Sequence, residues 1–258
     1  VTLAIHPLLA ARGYGLRHHT EVGSTNLEAK AALREGADRL WIVADRQVAG
    51  RGRHDRGWQS PIGNLYASLV LAAPAAPPAL AQLGFVAGVA LVEAIGSLAP
   101  DLANRLAIKW PNDLLLDGAK CAGILLEGEI GPDRRPGVVI GWGVNVVSHP
   151  ADLPRPALHL QAVASWIGRD DLFSALQARM AEALSIFDEG RGFAAIRRQW
   201  LASTLPMGQR LSVKLAHQQI EGDFAGLDPD GALLLETGQG LRTILAGDVF
   251  LVGESPPT

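Results

Sequence analysis

Residues 106–125 read LAIKWPNDLLLDGAKCAGIL, and this stretch decides the fold class. Leu106–Ile108 and Leu114–Leu116 are apolar runs of strand length on either side of Trp110-Pro111-Asn112-Asp113. Asp117-Gly118 is a hairpin-turn dipeptide, because glycine takes a positive φ without steric cost. Further along, Ile124–Glu129 and Val138–Val144 pair as strands about the turn Gly131-Pro132-Asp133. Towards the N-terminus, Leu16–Thr20, Leu40–Ala44 and Leu65–Leu71 have strand character. A helix opens at Ser24-Thr25-Asn26 and runs to about Arg34, with Thr25 and Glu28 at capping-box spacing and Gly36 as its stop. Ala73–Pro78 is a stiff connector before an apolar helix over Ala79–Ala99. Asp171–Glu189 places Leu172, Leu176, Met180, Leu184 and Phe187 at helical spacing, and Phe193–Leu201 continues as a shorter helix. Helices interleaved with strands predict an α/β (α+β) body with a mixed sheet.

After Pro206 the pattern changes to short alternating strands: Leu211–Leu215, Ile220–Leu227, Ala232–Glu236 and Arg242–Leu245. They are separated by Asp228-Pro229-Asp230-Gly231 and Gly238-Gln239-Gly240, which predicts a small all-β module. The expected domains are therefore 1–206 and 207–258. Bulk properties agree with a globular chain: 48% of its 258 residues are hydrophobic and 19% charged. The net charge of −3 argues against nucleic-acid binding through overall charge. One cysteine, Cys121, excludes an internal disulfide and a four-cysteine zinc site. The first ten residues lack the basic region of a signal peptide. The apolar stretch 79–99 is interrupted by Gln82, Glu93 and three glycines, so it reads as a buried helix; no membrane partner and a cytoplasmic location are expected.

The least ordinary segment is Gln47–Pro61. Arg51, Arg53 and Arg56, with Arg46 just before it, fall within eleven residues, and the segment holds three glycines. Guanidinium groups match phosphate and carboxylate geometry, and glycine lets backbone approach a ligand. An anion-binding loop able to close over a ligand competes with a merely solvated basic loop; the glycine spacing and Trp58 favour function. No Gly-Lys-[Ser/Thr] follows, so it is not a Walker A loop. Taken alone, Asn112 and Asp113 read as a turn capping its own backbone, or as contacts to a sugar hydroxyl or Mg²⁺. Lys120 is a point charge at the mouth of the sheet or a solvated lysine, and Cys121 is a core filler. Gly141 and Gly143, two glycines inside one strand, signal close approach by a ligand or another backbone. The histidines do not cluster, and neither His-Glu-x-x-His nor Gly-x-Ser-x-Gly occurs.

In order, Gly23-Ser24-Thr25-Asn26, Gln47, Gly50-Arg51-Gly52-Arg53 with Trp58, Lys109-Trp110-Pro111-Asn112-Asp113, Lys120-Cys121-Ala122-Gly123-Ile124-Leu125 and Gly141-Trp142-Gly143-Val144-Asn145 resemble the catalytic region of biotin protein ligases. Gly247-Asp248-Val249 lies near the end of a β module similar to the family's SH3-like C-terminal domain. The resemblance covers nearly the whole chain. It implies a fold of the biotin/lipoate protein ligase catalytic type. It also implies a two-step reaction: biotin and ATP, with Mg²⁺, form biotinyl-5′-AMP and pyrophosphate, and a lysine of a biotin carboxyl carrier protein then takes the biotin.

By the same resemblance, Ser24, Thr25, Asn26 and Gln47 meet biotin together with Gly50 and Arg51, while Gly123 and Gly141 leave room for its rings. Trp58 packs on the ligand. Arg53, Arg56, Trp58, Lys109, Asn112, Asp113, Lys120 and Asn145 serve the nucleotide, with Asp113 as the metal ligand. Lys120 contacts the reacting carboxylate and α-phosphate and is expected to be catalytic with Arg51 and Arg53. The adenine contact stays open between Trp142 and His159. Ser24 lies too near the start for the DNA-binding domain of bacterial relatives, so no DNA partner or repressor activity is expected. Relatives often form homodimers by pairing sheet edges. The rival readings are a lipoate or octanoate ligase, a non-catalytic biotin-binding module and a DNA-binding repressor.

Overall fold

The computed structural model describes residues 3–151, 155–215 and 218–252. Its body is a seven-stranded sheet: β1 (Gly15–Val22), β2 (Leu40–Gln47), β3 (Leu65–Ala72), β4 (Leu106–Lys109), β5 (Asp113–Leu116), β6 (Ala119–Ile130) and β7 (Pro136–Val144). The order across the sheet is β1-β2-β3-β7-β6-β5-β4. Only β1 and β2 run parallel, and every other pair is antiparallel, so the sheet is mixed as expected. A short helix, α1 (Pro7–Ala10), precedes it, and α2 (Thr25–Arg34), α3 (Leu83–Leu98), α4 (Arg169–Phe187) and α5 (Phe193–Ala202) complete the body. A second, five-stranded antiparallel sheet contains β8 (Arg210–Lys214), β9 (Gln219–Leu227), β10 (Leu233–Thr237), β11 (Gly240–Ile244) and β12 (Asp248–Leu251), ordered β11-β10-β9-β8-β12.

The period-2 geometry of a strand divides the apolar residues between two faces. On β2, Trp41 and Val43 enter the large core with α3 and α4, whereas Leu40 and Ile42 meet Ala29, Ala32 and Leu33 of α2. On β7, Val138, Ile140, Trp142 and Val144 join the large core, and Val139 faces α2. Eleven of the sixteen residues of α3 are buried. The stretch Pro77–Leu98 is long and apolar enough to cross a membrane, yet here it is the central helix, packed by α4 and α5.

Several expected boundaries move. The apolar helix begins as a 3-10 turn, Pro77–Gln82, because paired prolines suit a first turn but supply no N–H. Ala119–Ile130 is one long strand, not a turn followed by a shorter strand. The strand β12 was not anticipated: four residues offer too little alternation, and their pairing partner β8 lies more than thirty residues earlier. The capping box also does not form. Ser24 is the N-cap, and Thr25 turns both its N–H and its hydroxyl to Gln47 instead.

Candidate active site

On the α2 side of β7, Val139 packs against the helix, but the next residues on that face are Gly141 and Gly143. In register, Gly123 of β6 lies opposite Gly143 and Leu125 opposite Gly141. These glycines border a cavity of about 330 Å³, within the range of small-molecule sites. Of the residues expected to meet biotin, the nucleotide or the metal, only Gly50 and the adenine candidate His159 do not border this cavity. Gly50 instead closes the arginine loop on itself: its O accepts from Trp58 N at 2.8 Å, and a Cβ there would stand 2.4 Å from Trp58 O.

One end of the cavity is neutral and rich in hydrogen-bonding groups. Gln47 Oε1 accepts from Thr25 N at 2.8 Å and from Thr25 Oγ1 at 3.1 Å, and Gln47 Nε2 donates to Ser60 Oγ at 2.9 Å. Asn26 Nδ2 donates to Leu125 O at 3.3 Å and to Glu127 Oε2 at 2.9 Å. Ser68, buried on β3, lies 2.8 Å from Thr25 Oγ1 and 2.7 Å from Asn26 Oδ1. Both amide protons of Asn26 are thus taken by the protein. Ser24, the N-cap, makes no capping bond with its hydroxyl.

The two glycines expected to make room for rings do so for different partners. A Cβ on Gly141 would stand 2.0 Å from Asn26 Oδ1, so this glycine accommodates the asparagine. A Cβ on Gly143 would stand 2.6 Å from the Trp58 indole, and one on Gly123 3.2 Å from it. Trp58 therefore lies in a cradle of paired glycine backbone, with Nε1 buried and unpartnered and Lys120 Nζ 5.3 Å from its ring centroid.

The other end is cationic. Among the described residues, Arg51, Arg53, Arg56, Lys109, Lys120 and Arg155 border the cavity against the carboxylates Asp113 and Asp248, a surplus of four positive charges in a chain of net charge −3. Lys109 and Asp113 are the closing pair of the β4–β5 hairpin, and the Trp110–Pro111 peptide between them is cis. Lys120 Nζ lies 2.6 Å from Asp113 Oδ1 and Lys109 Nζ 3.3 Å from Asp113 Oδ2. Burial alone would raise the Asp113 pKa, but the two ammonium groups outweigh it and hold the carboxyl at about 2. Arg51 lies 3.6 Å from Glu127. Asp248 Oδ1 lies 2.8 Å from Arg56 and 3.6 Å from Arg53. Burial pushes the Arg53 guanidinium below its usual value, and Asp248 opposes that. Asn112 Nδ2 donates to Ile124 O at 2.7 Å, and Asn145 Nδ2 to Leu158 O at 3.3 Å, so both amides brace the walls.

Four contributors were missed from the sequence. Asp248 was read only as part of the C-terminal module, and Arg155 carried no local signal. Glu127 reads as an ordinary charge on a strand, and Ser68 as a polar residue in a hydrophobic run. Only the fold brings them to the site. Of the two adenine candidates, Trp142 borders the cavity but its ring packs in the large core, 5.3 Å from Trp41, with its Nε1 donating to Ala87 O. His159 pairs with His149, their Nδ1 atoms 2.8 Å apart, and neither borders the cavity. Cys121 is buried with its thiol pushed up to about 12 by burial, consistent with a core filler.

Residues 18–145 match the Biotin/lipoate A/B protein ligase family, and residues 207–252 the Biotin protein ligase C terminal domain. A biotin--[acetyl-CoA-carboxylase] ligase of Paracoccus denitrificans is 39% identical over 239 residues, covering 89% of this chain and 98% of that one. The chain belongs to the biotin/lipoate protein ligase family. Within it, the bifunctional ligase/repressor BirA of Bacillus subtilis is 32% identical over 248 residues, covering 93% of this chain and 74% of that one. The biotin protein ligase of Aquifex aeolicus, solved in complex with biotin and ATP, superposes with a TM-score of 0.79 at 27% identity, covering 92% of this chain and 99% of that one.

Proposed function

We propose that the protein is a biotin protein ligase. It joins biotin to ATP, releasing pyrophosphate, and passes the biotinyl group to a lysine of a carboxylase's biotin carboxyl carrier protein. The observation that carries this reading is a single cavity whose neutral, hydrogen-bonding end adjoins a strongly cationic end. A neutral ureido ring suits the first, and a carboxylate beside a triphosphate suits the second. Two anions must meet for adenylation, and clustered cations offset their repulsion.

In the first step a biotin carboxylate oxygen attacks the α-phosphorus of ATP, and pyrophosphate leaves. Lys120 neutralises the carboxylate and the α-phosphate oxygens, with Arg51 and Arg53 stabilising the transition state. Ser24, Thr25 and Gln47 receive the ureido head with backbone near Gly50 and Arg51. Asn26, with its amide protons on Leu125 and Glu127 and its Oδ1 beside Ser68, shapes that end. Trp58 and Gly123 flank the ring region. Arg56, Lys109, Asn112 and Asn145 serve the nucleotide end. In the second step the neutral amine of the carrier lysine attacks the acyl carbon, and AMP leaves. Closure of the arginine loop shields the mixed anhydride from water.

Among the described residues no group of three or more His, Cys, Asp or Glu gathers to hold a metal. Mg²⁺ needs only one or two carboxylates when substrate phosphates supply the rest. It thus fits as an ion carried by ATP, with Asp113 as its nearest protein carboxylate, where it would withdraw charge from the phosphates. The division into a catalytic body at 1–206 and a C-terminal module at 207–258, and a cytoplasmic site of action where ATP is present, belong to the same proposal.

ATP–pyrophosphate exchange by the purified protein with Mg²⁺ tests it, comparing biotin, lipoate and no acid. Exchange with biotin alone is expected. Exchange with lipoate instead would keep the chemistry and overturn the substrate. A folded protein that binds biotin without exchange would make it a binding module.

A further inference from the structure

Five of the six cations bordering the cavity already have a carboxylate nearby. Arg51 has Glu127, Arg53 and Arg56 share Asp248, and Lys109 and Lys120 share Asp113. The sixth is Arg155, and among the described residues no carboxylate pairs with it. Its guanidinium carbon instead lies 4.1 Å from the ring centroid of Phe250 on β12. Such stacking holds a guanidinium in one plane without neutralising it, and leaves its in-plane N–H groups available to an anion.

The position is defined from three sides. Phe250 follows Asp248 by two residues on a strand, so both side chains lie on one face, about 7 Å apart along the chain. Arg155 therefore sits beside the carboxylate on which Arg53 and Arg56 rest. The backbone next to Arg155 is tied to that of Lys120: Lys120 N donates to Pro156 O at 2.9 Å, and Leu158 N to Lys120 O at 3.0 Å. Upstream, Asn64 Oδ1 accepts from the N–H groups of Val146, Val147 and Ser148, which directs the chain into this wall. None of these anchors belongs to the arginine loop.

We propose that Arg155 is a triphosphate-binding residue, held ready by Phe250, and that it keeps its grip on pyrophosphate as it leaves. Arg53 and Arg56 must exchange Asp248 for phosphate, whereas Arg155 has no ion pair to give up among the described residues. It is thus the cation best placed to meet the polyphosphate arm before the loop closes. The inference rests on the adenylation reading and adds to it a residue and a division of labour: fixed cation first, loop cations second.

The test is exchange kinetics in both substrates, ATP and inorganic pyrophosphate, for the wild type, Arg155→Ala, Arg155→Gln, Arg155→Lys and Phe250→Leu. Arg155→Ala and Arg155→Gln are expected to raise KM for ATP and for pyrophosphate about 10- to 100-fold, with the biotin Kd unchanged. Phe250→Leu should shift the same two constants in the same direction but less, and Arg155→Lys should recover only part. Thermal melts of each variant separate this from loss of fold. Unchanged KM for pyrophosphate would overturn the proposal. So would a loss confined to discrimination between ATP and GTP, which would make Arg155 a base contact, or one confined to carrier transfer, which would make it a docking residue. If the wild type itself fails to exchange with biotin, the adenylation reading falls; if it exchanges and Arg155→Ala matches it, only this inference falls.

Discussion

Gly141 shows how one residue serves the site by having no side chain. Its missing Cβ is the space filled by Asn26, which is hydrogen-bonded to Leu125 and Glu127 and lies beside Ser68. Gly141→Ala would force Asn26 from that arrangement, because strand backbone cannot yield by the required amount. Overpacking of this kind costs about 1–3 kcal/mol. The expected result is a biotin Kd at least about tenfold higher, with lowered stability, read by calorimetric titration and denaturant unfolding. Gly143→Ala is the informative contrast: it meets the Trp58 indole, so it should disturb the loop while sparing the sheet. Equal biotin affinity in Gly141→Ala and the wild type would refute this account of the pocket. Two glycines in a strand were visible as a signal of close approach. Which neighbour approached each was not, because Asn26 and Trp58 are far away in sequence.

At the scale of the element, the arginine loop was readable as a cationic, glycine-rich segment, but its resting state was not. Residues Arg53–Asp55 form a 3-10 turn, and Arg51 bridges to Gly57. The loop's charges are held by Glu127 on β6 and by Asp248 on β12, the latter 192 residues from Arg56. Local sequence carries no information about such pairings. Replacing Arg51 removes the cation next to the neutral end of the cavity. A hydrogen bond to a charged group contributes about 1.5–3 kcal/mol, so Arg51→Ala should release biotinyl-5′-AMP roughly 10- to 100-fold faster. Gel filtration of the preformed intermediate with timed sampling measures this, and unchanged retention would argue against the assignment of the loop.

At the scale of the whole molecule, the β module is built into the active site. Lys109 Nζ donates to Val249 O at 3.1 Å, Trp110 Nε1 to Gly231 O at 3.1 Å, and Arg53 to Gly247 O at 3.2 Å. Arg197 also donates to Leu227 O. Phe85 and Phe193 pack closely enough on Gly231 that a Cβ there would stand 2.8 Å from the Phe85 ring. Ending the chain at Pro206 would leave Lys109 buried without its carbonyl and expose those rings, each worth about 1.5–3 kcal/mol when buried. The truncated protein should melt at lower temperature and lose exchange as well as carrier transfer. Wild-type exchange and melting temperature in the truncated chain would show that the module only docks the carrier.

The sequence by itself determined the order of the strands and helices other than α1 and β12, the change of character near Pro206, and most of the charged and polar residues that border the cavity. Those follow from local physics: side-chain periodicity, turn residues, and residue types suited to anions. Tertiary structure alone decided which carboxylate holds each cation, which neighbour fills each glycine, and that β12 contributes a wall of the site. It also decided that Thr25 answers Gln47 rather than capping its helix. Each of these joins groups distant along the chain, and only the folded sheet brings them within hydrogen-bonding or ion-pairing distance.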